Sequence, residues 1–161
     1  MGSHRITYTF EFPDGGRLAF PLVFADADSR LEIGSRDQWP PWTALERHRC
    51  SHCPLDATAF PRCPLATAIV DVVEATDQLV SHDTLAITVE HPARTIAMTA
   101  PAADALRSLM GLIIPTSGCP HTAYLKPMAR FHLPLSDQDE TLYRVTSMYR
   151  LAQQIRRQVG L

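Results

Sequence analysis

Three of the four cysteines in this chain are followed directly by proline: Cys53-Pro54, Cys63-Pro64 and Cys119-Pro120. Proline fixes φ and has no N–H, so it fits the first turn of a helix and not its interior. Each Cys-Pro pair therefore limits where a helix can begin. The cysteine then falls at the cap, where unbonded N–H groups and the positive end of the helix dipole favour a thiolate. The pattern predicts three such helix starts, with Cys50 three residues ahead of Cys53.

Around these marks the periodicity divides into strand and helix. Ile6, Tyr8, Phe10 and Phe12 alternate with Thr7, Thr9 and Glu11, which predicts a half-buried strand over Arg5–Phe12. Pro13-Asp14-Gly15-Gly16 is a turn signal, and Arg17–Val23 reads as the returning strand, with Pro21 suggesting an edge strand or a strand end. A short strand is expected near Leu31–Ile33. Thr43-Ala44-Leu45-Glu46 matches a capping box. Leu65, Ile69, Val72, Val73 and Leu79 recur at helical spacing and predict a helix over Pro64–Leu79. Thr84–Glu90 returns to strand period, with Ala93–Met98 as its hairpin partner.

Pro101–Ile114 is expected to be the central buried helix. Another short helix should follow Cys119 and reach about Ala129. A final helix over Asp137–Val159, capped by Ser136, carries an apolar stripe of Leu142, Val145, Met148, Ala152, Ile155 and Val159. Strands first paired as hairpins, with helices covering one face, give a single α+β domain over residues 1–161.

Composition excludes several classes. With 45% hydrophobic and 20% charged residues, the chain has an ordinary globular balance. A formal net charge of -2 argues against nonspecific binding to nucleic acid or to an anionic membrane. No apolar run approaches the roughly 18 residues of a membrane span. The first residues, Met1-Gly2-Ser3-His4, do not read as a signal peptide, so a cytoplasmic location is expected. In that reducing compartment, four cysteines point to metal binding or thiol chemistry and not to disulfides.

The cysteines follow the spacing C-x2-C-x9-C-x55-C through Cys50, Cys53, Cys63 and Cys119. The C-x2-C pair can grip one ion or one edge of a cluster, and the other two thiols must arrive through the fold. Small buried cysteines are also common core residues, but proline after three of them is a habit of iron–sulfur ligation. Four-thiolate zinc sites favour two C-x2-C knuckles, and this chain has one. The spacing thus favours a [4Fe–4S] cluster on Cys50, Cys53, Cys63 and Cys119, with Zn2+ as the alternative. His48, His52, His121 and His132 lie near the cysteines as possible replacement ligands, although four thiolates already complete the set. Thr116-Ser117-Gly118, with Lys126 and Arg130, could form a small anion cradle, and the simpler reading is a capped loop. Trp39 and Trp42 are expected to latch over the first Cys-Pro segment.

The motifs C-x2-C-P-L, C-P-L and I-P-T-S-G-C-P-H-T-A-Y-L-K-P-M-A-R-F-H-L-P-L together resemble a bacterial family characterised only as a domain of unknown function. The resemblance spans Arg5 to about Gln153, with Leu112–Leu135 its most specific part. It implies that the four cysteines and the His121–His132 stretch act together, and it supplies no activity. The expected function is a metal-binding protein in electron transfer or sensing, with a redox or protein partner. The alternatives are a structural-zinc interaction module and a sulfur-transfer or redox enzyme using Cys119 or Cys53 as nucleophile.

Overall fold

A computed structural model describes residues 3–160. Four antiparallel strands, β1 (Ser3–Glu11), β2 (Arg17–Ala25), β3 (Thr84–His91) and β4 (Arg94–Pro101), form one sheet in the order β2-β1-β3-β4. The first hairpin closes where the sequence marks it. Phe12 N–H donates to the Gly16 carbonyl at 2.9 Å, and Gly15 takes a φ of 88°, which a residue without Cβ adopts readily. Pro21 pairs with Thr7 on the edge strand, where its missing donor faces outward.

The period-two pattern turns Ile6, Tyr8 and Phe10 to one face of β1. In register with them stand Phe20 and Leu22 of β2 and Ile87 and Val89 of β3. All are buried, and together with Phe24 and Leu85 they form the sheet side of the core. Fully burying a side chain of this size contributes about 1.5–3 kcal/mol, so the face sets the register of the sheet.

The helices are α1 (Pro64–Ala68), α2 (Val70–Ala75), α3 (Ala102–Thr116), α4 (Lys126–Arg130) and α5 (Gln138–Gln158). α3 lies against β3 and β4 and buries Ala102, Ala105, Leu109, Leu112 and Ile113. Its first amides are satisfied by the loop before β3: Ala102 N–H donates to the Asp83 carbonyl at 2.8 Å, and Ala103 N–H to the Ser81 carbonyl at 2.9 Å. The domain is α+β, as the pattern predicts.

Several boundaries differ from expectation. The helix expected over Pro64–Leu79 breaks at Ile69, whose φ of -101° and ψ of -1° leave helical geometry, and it ends at Ala75. Thr67, Ile69, Val70, Val72 and Val73 are β-branched, and their stiff side chains weaken a continuous helix. α3 continues past Ile114 through Pro115, because a proline in the last turn forgoes only its bond to the Gly111 carbonyl. The Leu31–Ile33 strand shrinks to one bridge between Leu31 and Phe24.

The cap of α5 is Asp137 and not Ser136. Its side chain accepts from Glu140 N–H at 2.8 Å, while the Glu140 carboxylate accepts from Asp137 N–H at 3.0 Å. Thr43 caps no α-helix. It ends a 3-10 turn over Pro41–Thr43, and its hydroxyl donates to the Pro40 carbonyl at 2.8 Å. The apolar stripe of α5 buries no residue, and the helix touches the rest of the domain chiefly through α4.

Candidate metal centre and a second polar site

The Cys-Pro pairs do not behave alike. Only Cys63-Pro64 starts a helix, with Cys63 at the N-cap of α1 in an extended conformation. Cys53-Pro54 enters a loop, and Cys119-Pro120 enters a turn that leads to a 3-10 segment over Ala123–Leu125. Cys53 and Cys119 therefore lack the helix dipole expected to favour their thiolates.

What the fold does is tie the cysteine-bearing segments to one another. Cys63 N–H donates to the Thr43 carbonyl at 2.9 Å and Leu45 N–H to the Pro61 carbonyl at 3.1 Å. Segments 43–45 and 61–63 thus form the neck of a loop, residues 46–60, that carries Cys50 and Cys53. Within it, Cys53 N–H donates to the Cys50 carbonyl at 3.0 Å, which curls the C-x2-C pair into a turn. The Arg49 guanidinium donates to the carbonyls of Cys53 at 3.2 Å and Leu55 at 2.7 Å and stiffens that turn from inside.

The third segment follows α3. Buried Ser117 donates through Oγ to the Ile114 carbonyl at 2.8 Å and accepts from Cys119 N–H at 3.3 Å. Gly118 has a φ of 91°, and a Cβ there would meet the Arg30 guanidinium at 3.2 Å. His121 bridges this segment to the first loop. Its Nε2 donates to the His52 carbonyl at 2.8 Å, and the two imidazole rings meet edge to face with centroids 4.4 Å apart. Cys53 follows His52 directly, and Cys119 lies two residues before His121.

All four cysteines are free thiols, with Cys50 exposed and the other three half-buried. Among the described residues, no three His, Cys, Asp or Glu side chains are grouped as a ligand set for a metal ion. The segments meet, and their side chains do not stand preassembled around one point.

The hydroxyls of Thr116 and Ser117 bond to carbonyls of α3, and the Lys126 ammonium lies 3.0 Å from the Asp28 carbonyl. These bonds fit the capped-loop reading. Trp39 lies under the Arg36 guanidinium, 5.9 Å from its ring centroid, and Arg36 pairs with Asp71 and Glu74 of α2. Through Arg36, Trp39 is thus tied to α2.

His132 belongs to a different site, which sequence reasoning missed. The Tyr8 hydroxyl, reaching from the core face of β1, bonds to Ser108 Oγ of α3 at 2.8 Å and to Nε2 of His132. Ser108 Oγ also accepts from Leu135 N–H at 2.8 Å. Burial pushes the Tyr8 phenol well above its usual range, against the opposing effect of the Ser108 hydrogen bond. Burial also lowers the His132 imidazole to about 4, helped by the positive charges of Arg144 and His91. Both groups are therefore neutral near pH 7. They sit beside a cavity of about 450 Å³ between β4, α3, α4 and the start of α5. None of the four cysteines lines it. The one available signal was Tyr8 itself, since a tyrosine on a core face needs a partner for its hydroxyl.

The fold defines a small α+β domain in which hydrogen bonds join the cysteine-bearing segments. The chain belongs to the family described as a domain of unknown function (DUF6901), whose model matches residues 6–161. No curated protein and no solved structure matches the chain. No helix among the described residues is long and apolar enough to cross a membrane.

Proposed function

We propose that Cys50, Cys53, Cys63 and Cys119 together bind a metal centre, a [4Fe–4S] cluster used in electron transfer or sensing, with Zn2+ as the alternative occupant. The observation that carries this reading is the contact between His52 and His121, which joins the C-x2-C loop to the Cys119 segment. The neck formed by Thr43 and Cys63 brings the remaining thiol to the base of the same loop. All four side chains are at least partly accessible, as ligands that close on an incoming metal must be.

Closing the thiols on one centre requires side-chain rotation and adjustment of loop 46–60. Structural zinc in small peptides contributes on the order of 10 kcal/mol, well above the cost of ordering a few loop residues at about 1–2 kcal/mol each. The motifs C-x2-C-P-L, C-P-L and P-T-S-G-C-P-H-T would then be the signature of a bacterial family built on this centre. Reduced thiols suit a cytoplasmic setting with a redox or protein partner. A nucleophilic role for Cys119 or Cys53 has less support, because neither stands at a helix start.

The test is metal content and thermal melting of Cys119→Ala and Cys63→Ala side by side. Two ligands of one centre lose the metal together and lower the melting temperature by similar amounts. Full occupancy in either variant removes that cysteine from the set.

A further inference from the structure

We propose that the cavity between β4, α3, α4 and the start of α5 is a binding site for a small carboxylate with an apolar tail, held head-first on His132 and Arg144. The proposal is independent of the cysteine centre, since no cysteine lines this cavity. Its volume of about 450 Å³ falls within the range of small-molecule sites. Met98, Met128, Leu133 and Leu135 supply apolar wall.

The polar end follows from the hydrogen-bond chain. Leu135 N–H can only donate, so Ser108 Oγ accepts from it. The direction that also gives the Ser108 proton a partner runs from Ser108 to the Tyr8 oxygen and from Tyr8 to Nε2 of His132, and we adopt it. The neutral imidazole consequently carries its proton on Nδ1. Among the described residues Nδ1 has no hydrogen-bond partner and is not fully buried, and His132 lines the cavity. Leu135 holds a φ of 57°, unusual for a branched residue, and that backbone conformation accompanies the N–H bond that starts the chain.

Arg144 supplies the charge. One terminal nitrogen of its guanidinium donates to the carbonyls of Met128 at 3.2 Å and Phe131 at 2.5 Å, which fixes the group beside the cavity. Among the described residues its other N–H groups are unengaged. The acidic wall residues already have partners. Asp104 pairs with Arg107 at 2.5 Å, and Asp137 caps α5. The unengaged groups on His132 and Arg144 are thus all donors, and an acceptor that carries negative charge complements them.

Calorimetric titration of the full chain with octanoate, octanol and octylamine tests this. Octanoate should bind about tenfold or more tightly than octanol, the size of a charge-assisted hydrogen bond, and octylamine should not bind. His132→Phe should weaken octanoate about tenfold or more and leave octanol unchanged. The wild-type imidazole, followed by nitrogen NMR, should show Nδ1 protonated and shifted by octanoate, a readout that stands even where the variant fails to fold. Equal affinity for the three head groups, no binding of octanoate, or an imidazole signal indifferent to it would overturn the proposal.

Discussion

Acid should destabilise this domain through His132, whose imidazole is held well below its ordinary range. In the unfolded chain its imidazole titrates near the ordinary value of 6.5, and in the fold it titrates at about 4. Above pH 6.5 both states are neutral there and the group has no effect. Between 6.5 and about 4 the unfolded state takes up a proton that the folded state refuses, so stability falls as pH falls. The loss is complete below about 4 and amounts to about 3 kcal/mol at 1.36 kcal/mol per pH unit. For a domain of this size that is roughly 6–12 °C in melting temperature.

The charged groups facing His132 act in the same direction: Arg144 and His91 repel its charged form. The assay is thermal melting from pH 7.5 to 4 for the wild type and for His132→Gln. The glutamine amide can still hydrogen-bond to Tyr8, as donor or acceptor, and cannot titrate. Carboxylates contribute equally to both curves, so the difference isolates the imidazole. Parallel curves across this range would refute the reasoning.

Two other substitutions probe separate parts of the fold. Asp137→Ala removes the side-chain half of the α5 capping box, leaving the residue-137 N–H to donate to Glu140, and should cost about 1 kcal/mol, visible as lower helicity by circular dichroism and faster amide exchange in the first turn of α5. Gly118→Ala places a Cβ against Arg30 at a positive φ and should cost about 1–2 kcal/mol in a denaturant melt, whereas Gly34→Ala, with open space around it, should cost far less.

The strands were legible because one face of the sheet is buried. Alternation survives intact over β3 and is interrupted in β1 only by buried Thr9, and the turn at Gly15 has a local cause that any reader of the chain can see. Helix existence was also legible, and helix continuity was not. Ile69 has the right apolar spacing, and the break there reflects a run of β-branched residues. The Cys-Pro rule held at Cys63 alone, because a proline permits a helix start without driving one. The stripe on α5 has helical period, yet it meets solvent, since periodicity reports what a face could bury and not what lies opposite. The Tyr8–Ser108–His132 chain joins residues far apart in sequence, so no local pattern marks it. The four thiols stood out by spacing, and the contact between the Cys53 and Cys119 segments through His52 and His121 needed the fold.

The most direct measurement of the cysteine centre is elemental analysis, with an absorption spectrum, on the wild-type chain purified without air. The account predicts iron with inorganic sulfide and a brown colour from thiolate-to-iron charge transfer, bleached by exposure to air. One zinc per chain and no colour would keep the four-thiol site and replace the cluster. Four free thiols with no bound metal, even after anaerobic reconstitution with iron and sulfide or with Zn2+, would contradict the account.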